Sequence, residues 1–420
     1  LPGLFQRIRN SIVLAGDSLS QPSGWMARWL GRSGTAAGVD IHEGNAFTVT
    51  DHLKCCRVIS ETGAMLPLKI YKRLAPRGRQ EARNHPLFFL LHDQPNERMT
   101  SFTWRLALFL HLVNWGRHAS YIERDASGRI VALWPIRPDM FRWEIRNGKM
   151  WFWVTTMTGQ SVQFWRDEIL YIPFMTVDGI NSISPVMLYK ESLGLGKALE
   201  TYAGTYFGNG SQAGGFLQKD GELSAPAAAR LKKTWEERHR GVENAHRIAV
   251  LEEGLKFQPS TVPNDVSQFL QSRTFQRSEI AGLHRVPPHK IGDLSRSTNN
   301  NIEQQDMEFL RDCMGPRFEQ VEQAMNMDLL LPREKGRYYI EFDVLAFMKG
   351  DSAARAKYMQ ARFGMASLSP NDIREADNEN PIPGGDVYYL ASGMMRADAV
   401  ASIAAPEPSD VVDGDDVTAN

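Results

Sequence analysis

The chain has 420 residues, 42% of them hydrophobic and 23% charged, and its 48 Lys and Arg nearly cancel its 49 Asp and Glu to leave a net charge of −1. A chain of this length exceeds what one compact core usually holds, so two or three structural regions are expected, and the near-neutral balance excludes a generic polyanion binder. Three cysteines, Cys55, Cys56 and Cys313, are too few and too unevenly spaced for a disulfide framework or a zinc site, and no apolar run approaches the roughly 18 residues of a membrane span.

Taken in order, residues 1–44 are rich in Gly, Ser and scattered apolar residues and read as an N-terminal arm. The stretch Leu4 to Leu14 carries Arg7 and Arg9 but no convincing signal-peptide cleavage pattern, so synthesis in a reducing cytoplasm, away from membrane, is expected. Phe47–Leu66 reads as a helix with Cys56 beside Leu53 and Ile59 on its apolar face, which makes buried, reduced thiols the expectation. Leu68–Arg73 follows as a strand. Thr100 or Ser101 is placed to cap a helix whose Phe102, Leu106, Phe109 and Val113 share a face.

The period then changes to two. Tyr121–Arg124 and Ile130–Ile136 flank Asp125-Ala126-Ser127-Gly128, and Phe141–Arg146 and Lys149–Thr155 flank Asn147-Gly148, the favoured type I′ pair. Val162–Trp165 and Ile169–Phe174 add strands, which predicts an α+β lobe with an antiparallel sheet. Trp134, Trp143, Trp151, Trp153 and Trp165 fall inside it, interleaved with Arg137, Arg142 and Arg146. Such a mixture suits stacking on sugars or single-stranded bases, but alternating aromatics more often fill a core or a subunit interface.

Pro185 opens a helix to about Phe207 that contains Gly194, Gly196 and Gly204. A helical glycine costs about 1 kcal/mol relative to alanine, so close approach of neighbouring helices, as in a ring, is expected to offset it. Gly208–Gly215 reads as a hinge; it lacks the Lys-Ser/Thr ending of a phosphate loop. A small insert runs from Phe216 to Pro259, with a helix from about Pro226 to His239 capped by Ser224 and strands near Ile248–Leu251 and Lys256–Gln258.

From Asp265 to Leu329 a helix, a break, a polar loop and a longer helix follow one another. Phe269, Phe275, Ile280 and Leu283 mark the first helix, which Pro287-Pro288 is expected to stop. The loop from Pro287 to Asn301 has the composition of a mobile segment. Ile302–Leu329 reads as a helix of roughly seven turns, with Ile302, Met307, Leu310, Met314, Phe318, Val321 and Met325 at helical spacing. Tyr338–Val344 is a strand able to rejoin the first lobe, Asp351–Phe363 and Ser369–Glu375 are helices, and the tail 396–420, acidic and without a basic residue after Arg396, reads as disordered.

Catalytic signatures are missing: there is no Walker A loop, HExxH, GxSxG or dinucleotide fingerprint. His284 and His289 straddle Pro287-Pro288 too irregularly for metal ligation, and no acid–base pair is recognisable. The sequence therefore implies no enzyme, no cofactor and no metal.

One segment carries more. "EIAGLHRVPPHKIGD" and "STNNNIEQQDMEFLRDCMGP", between Glu279 and Pro316, are similar to the portal proteins of tailed bacteriophages, in the branch common among long, non-contractile-tailed phages. The likeness takes in "SGTAAGVDIHEGNAFTVTDHLKCCRVISETGAMLPLKIYKR", "HPLFFLLHDQPNERMT", "NWGRHASYIERDASGRIVALWPIRPD", "DGINSISPV", "RGVENAHRIAVLEEGLKFQP" and "MASLSPNDIREADNENPIPGGD", in the family's order. One departure is the turn after "DG", which here reads Asn181-Ser182-Ile183-Ser184 with no glycine.

The resemblance implies an α+β portal-type protomer that assembles as a ring of twelve around a channel for double-stranded DNA, in the virion at the capsid portal vertex and, during assembly, in the host cytoplasm. Its implied partners are the terminase packaging motor, a head–tail adaptor, and the major capsid and scaffold proteins. It maps a β-rich wing onto 45–183 (closed by 330–347), stem helices onto 184–210 and 264–286, a small α/β clip onto 211–263, a tunnel loop onto 287–301, a long channel helix onto 302–329 and a helical crown onto 348–395. Lys290, Ser295, Arg296, Ser297, Thr298, Asn299 and Asn300 are then the loop residues that meet DNA. Arg230, Lys232, Lys233, Arg238 and Arg240 are the clip residues that meet the adaptor. The long helix carries Glu303, Asp306, Glu308, Asp312, Glu319, Glu322 and Asp328 against Arg311 and Arg317, an acidic excess suited to weak, sliding contact with DNA rather than braking. A monomeric nucleic-acid- or glycan-processing protein built on the tryptophan-rich sheet is the alternative.

Overall fold

The computed structural model describes residues 34–155, 159–208, 215–218, 224–226, 228–231, 233, 255–259, 266–294, 299–344, 352–377 and 379–389. The chain divides into two compact units, Leu1–Asp343 and Val344–Asn420. No helix among the described residues is long and apolar enough to cross a membrane.

In the first unit, residues 34–45 are tied to the body of the protein: the Ala36 N–H donates to Glu191 Oε2 at 2.9 Å, and Thr35 lies against Gly194. A 3-10 turn at Ala46–Thr48 leads into α1 (Thr50–Met65). Strands β1 (Leu68–Arg73) and β2 (Arg79–Glu81) follow, then helices α2 (Pro86–His92) and α3 (Ser101–Trp115). Thr100 caps α3, its hydroxyl accepting the Thr103 N–H at 3.3 Å, and Gly116 ends it at φ +73. α1 packs on α3, where Gly63 leaves room for the Phe109 ring; a Cβ there would lie 2.3 Å from it. Arg105 of α3, buried, donates to the Ala64 and Leu91 carbonyls at the C-terminal ends of α1 and α2, where the helix dipole favours a cation.

β3 (Arg117–Arg124), β4 (Ile130–Ile136), β5 (Phe141–Arg146), β6 (Lys149–Thr155), β7 (Ser161–Trp165) and β8 (Ile169–Pro173) complete the β-rich part. Asn147 and Gly148 sit at φ +51 and +72, as a type I′ turn requires. The one antiparallel sheet expected from the sequence is instead two, in the orders β4-β3-β8 and β5-β6-β7, and a third pairs β1 with β2 and with a later strand, β11 (Tyr338–Phe342). Ala119, Phe141, Phe152, Ile169 and Tyr171 form the core between the first two sheets. Period-two alternation gives each strand its faces but not its partners, which is why two sheets read as one.

After β8, Asp178 Oδ1 accepts the Ile180 and Asn181 N–H groups at 2.9 and 2.6 Å. The turn that lacks a second glycine is thus held by a carboxylate. α4 (Pro185–Gly208) follows, then β9 (Gly215–Gln218) and β10 (Lys256–Pro259), paired antiparallel. The described residues between 225 and 233 are helical; the strand expected near 248–251 lies outside the described residues. Two of the helical glycines meet neighbours within the chain, Gly194 facing Thr35 and Gly196 facing Ile280, while Gly204 has open space in the protomer.

α5 (Val266–His284) ends before the prolines. Arg285, at φ +58, donates its N–H to Gly282 at 3.0 Å, and the Val286 N–H reaches Ala281 at 2.9 Å, the pair of bonds of a Schellman stop. Pro287-Pro288 therefore follows a finished helix, correcting the expectation that it stops one. Residues Pro288–Ile291 form a 3-10 turn closed by Gly292 at φ +90. α6 (Asn299–Glu308), a π-helical turn (Phe309–Met314) and α7 (Gly315–Asp328) replace the single uniform helix expected. Pro316 has no N–H for the Asp312 carbonyl, and the Gly315 N–H reaches back five residues to Leu310. The wider turn sets the buried residues at Phe309, Met314, Phe318, Val321 and Met325, while Met307, read as an apolar position, is 65% exposed.

The second unit contributes α8 (Ser352–Gly364) and α9 (Pro370–Ala376). α9 starts on a reciprocal capping box, with the Asp372 N–H to Ser369 Oγ at 3.1 Å and the Ser369 N–H to Asp372 Oδ2 at 2.7 Å. The tail 396–420 lies outside the described residues.

Candidate functional site

The described residues nearest the expected DNA-contacting loop are the 3-10 turn after α5 and the start of α6. His289 Nδ1 lies 2.8 Å from Gln305 Oε1, and its Nε2 lies 2.8 Å from Asp306 Oδ1. Lys290 Nζ reaches the same Asp306 oxygen at 2.8 Å and sits 5.3 Å from the centre of the buried Phe309 ring. Burial raises the Asp306 pKa, but the bonds from Lys290 and His289 outweigh this and hold the carboxyl below the usual carboxylate range. Lys290, expected at the DNA, is thus engaged within the protomer. Asn299 and Asn300 open α6, while Ser295, Arg296, Ser297 and Thr298 lie outside the described residues.

Of the insert's basic residues, Arg230 and Lys233 are exposed on the helical stretch 225–233; the side chains of Lys232, Arg238 and Arg240 lie outside the described residues.

The acidic excess of the long helix divides between surface and interior. Glu308, Asp312 and Glu319 are exposed. Asp328 turns inward, accepting from Arg166 at 2.9 Å and from the Tyr171 N–H at 3.2 Å, and burial raises its pKa despite those bonds. Glu322 accepts the Phe342 N–H at 2.8 Å, and burial, with Glu341 and Glu319 nearby, pushes it up to about 7. Arg317, counted among the helix's few bases, is buried and donates to the Cys313 carbonyl. The helix's acidic excess is therefore divided, with some acids at the surface and others turned towards neighbouring elements, because a helix with a core-facing stripe draws in acids as well as apolar residues.

The half-exposed β5-β6-β7 sheet tests the tryptophan reading. Phe152 faces the core, so Trp151 and Trp153 lie on the opposite face, not in the core. Trp151 and Trp165 rings meet at 3.7 Å, Lys149 covers Trp165, and Arg142 and Arg146 cover Trp153 at 5.7 and 5.2 Å. Indole faces already stacked on each other or on cations are poorly placed to receive bases or sugars.

Sequence reasoning missed one convergence. His52 and Cys56, one turn apart on α1, meet His284 at the end of α5, their ligand atoms all within 4.8 Å of one another and all buried. The donor types suit a soft metal ion, but each already has a protein partner. His52 Nε2–H donates to Asn114 Oδ1 at 3.0 Å, since the Asn114 amide is spent on the Glu43 carbonyl, so His52 Nδ1 accepts from His284 Nε2–H at 2.9 Å. Burial lowers the pKa of both imidazoles and raises that of the Cys56 thiol, so all three are neutral. This is a sealed hydrogen-bond network joining three helices. The His52–Cys56 spacing was the only signal available in the sequence. Cys55 and Cys56 are free and buried, as expected, and so is Cys313.

Comparison with known proteins places these features in context. A family model described as "Phage portal protein" matches residues 51–378. The portal protein of Enterobacteria phage HK97 is 27% identical over 351 residues, 83% of this chain and 82% of that protein. A probable portal protein of Streptomyces phage phiC31 is 32% identical over 222 residues, 52% of this chain and 48% of that one. Among solved structures, an HK97 family phage portal protein from Corynebacterium diphtheriae matches with TM-score 0.54 at 18% identity, over 74% of this chain and 98% of that chain. A chain from the neck of an empty gene transfer agent particle matches with TM-score 0.55 at 21% identity, over 89% and 99%.

Proposed function

We infer the role of this chain from its membership: it belongs to the phage portal protein family, and it serves as the portal at one capsid vertex, the conduit through which double-stranded DNA is packaged and ejected. The match over residues 51–378 carries this reading, because it spans the β-rich part, the helices α4 to α7 and the start of the second unit. In the virion it works as a ring.

Finer assignments are our proposal. The ring has twelve subunits, in keeping with the twelvefold symmetry applied to one related neck structure. Residues 45–183, with 330–347, act as the wing, α4 and α5 as the stem, 211–263 as the clip, 287–301 as the tunnel loop, α6 and α7 as the channel helix, and 348–395 as the crown. Arg296, with the hydroxyls and amides around it, offers one cation per subunit for transient phosphate contact. Exposed Arg230 and Lys233 begin a mixed-charge surface suited to a tail adaptor and the terminase motor. ATP hydrolysis belongs to that motor, since this chain has no phosphate-binding loop; assembly with scaffold and major capsid protein takes place in the host cytoplasm before the ring enters the virion.

Negative-stain imaging of the purified chain tests the reading. Rings with a central hole are expected, with a native mass many times the 47.4 kDa chain mass. A stable monomer at high micromolar concentration, in the presence of scaffold protein, would overturn it, whereas rings of eleven or thirteen would not.

A further inference from the structure

Between the end of α5 and the start of α6 the chain crosses from one helix to the other, and the described residues on the two sides of 295–298 are bound to each other. The 3-10 turn supplies His289 and Lys290; α6, sixteen or seventeen residues further along, supplies their partners Gln305 and Asp306. Three bonds of 2.8 Å converge, two of them on one Asp306 oxygen. The His289 side chain is 8% exposed, Lys290 20% and Asp306 35%, so the group is partly shielded from water and the pairing is less screened than at an open surface. The Lys290 ammonium also lies over Phe309, the first residue of the π-helical turn, whose ring is 2% exposed. Below the turn, Arg285 Nη1 reaches the Asp312 carbonyl, one of the groups that Pro316 leaves without a helical donor.

We propose that His289, Lys290 and Asp306 form a clasp that fixes the 3-10 turn of the tunnel loop to α6, so that Lys290 and Asp306 act on DNA by positioning that turn and not by touching DNA. The proposal rests on the reading of 287–301 as the DNA-facing loop. It reverses the sequence-based role of Lys290: a cation whose charge is offset by a carboxylate and whose Nζ lies over an aromatic face offers a passing phosphate less than a free lysine does. It also gives Asp306 a role other than repelling DNA.

The two roles make opposite predictions for one substitution. If Lys290 and Asp306 faced DNA directly, Lys290→Met would weaken retention of packaged DNA and Asp306→Asn, by removing a repelling charge, would strengthen it. If they form a clasp, the two variants weaken retention alike, and the double variant is no worse than either alone, since each removes the same interaction. Lys290→Arg, which keeps the charge and a donor for Asp306, restores retention.

Two measurements decide the matter on full rings. Hydrogen–deuterium exchange of the purified ring reports the clasp itself: amides in 288–294 and 299–306 are expected to exchange about fivefold to tenfold faster in Lys290→Met and Asp306→Asn, with α3 unchanged. Genome length retained per filled capsid, read on a gel, reports the consequence, with Arg296→Glu as the control for the loop. Unchanged exchange in both variants overturns the clasp. Faster exchange with normal retention, while Arg296→Glu loses DNA, overturns the positioning role. Normal retention in all three variants locates the failure in the assignment of the loop to DNA, and the positioning role falls with it. Opposite effects of Lys290→Met and Asp306→Asn on retention establish direct contact instead and overturn the proposal.

Discussion

His52 and His284, 232 residues apart in the chain, share a hydrogen bond of 2.9 Å between Nδ1 of the first and Nε2 of the second. The bond ties α1 to the end of α5 in the dry interior, and it works only while His52 Nδ1 carries no proton and can accept. A second buried pair, His111 and His118, lies 3.0 Å apart at the α3–β3 corner, where burial lowers both imidazoles, His111 to about 4.

The folded pKa values of these four histidines lie below the unfolded value near 6.5, so the unfolded chain binds more protons as the pH falls. Stability is therefore fully present above about 6.5 and lost as acid is added, by up to about 1.4 kcal/mol per pH unit for each group until its folded pKa is reached. Thermal melts from pH 7.5 to pH 5 should show a falling midpoint, and His284→Gln should be less stable at pH 7.5 but flatter across the series. Parallel curves for the variant and the wild type would rule this out.

Glu322 has the opposite sign. Its folded pKa, about 7, exceeds the ordinary glutamate value of 4.5, so stability present in acid is lost as pH rises through neutrality. Glu322→Gln keeps an acceptor for the Phe342 N–H and removes the charge. The variant should match the wild type at pH 5 and melt at a higher temperature at pH 8; equal midpoints at both values would show that Glu322 is not held neutral.

The glycines of α4 should separate by what faces them. A Cβ on Gly194 would lie 2.5 Å from the Thr35 hydroxyl, so Gly194→Ala should destabilise the protein by about 1–3 kcal/mol. Gly204 meets nothing within 4 Å in the protomer, and Gly204→Ala should stabilise the isolated chain by about 0.4–1 kcal/mol through helix propensity. Chemical denaturation reads both, and a Gly204→Ala chain that folds well but no longer forms rings would identify Gly204 as a point of contact between subunits.

On α5, Phe275 is 71% exposed and Leu270 58%, a larger apolar display than a solvated helix usually keeps. A subunit interface in the ring would cover such a face. Phe275→Asp is expected to shift the protein from ring to free chain in light scattering with its far-ultraviolet dichroism unchanged. Rings of normal yield would move the subunit interface elsewhere.

With 287–301 as the tunnel loop proposed above, Arg296→Glu would reverse one charge on every subunit beside the channel, where repulsion from phosphates adds over the copies. Normal rings and procapsids are expected, with shortened or lost packaged DNA on a gel. Full-length genomes at wild-type yield would take DNA contact away from Arg296, and absence of rings would make the segment structural.

Local features were legible because their causes are local. The type I′ pair Asn147-Gly148, the Thr100 and Ser369 caps and the strand limits 68–73 and 141–146 follow from dihedral preference and one or two hydrogen bonds. The family was legible too, since its motifs run through the chain in order. What the sequence could not show is whatever depends on residues far apart meeting. The convergence of His52, Cys56 and His284, the division of the β region into two sheets, and the capture of Lys290 by Asp306 each needed a specific approach of separate elements. The π-helical turn belongs with them: Gly315-Pro316 hints at a disturbance, but that the Asp312 carbonyl finds a new donor depends on Arg285 arriving from the packed structure. Composition made the long helix acidic; burial decided that Glu322 and Asp328 face the core, because an acid's cost in the interior is set by the partners waiting there.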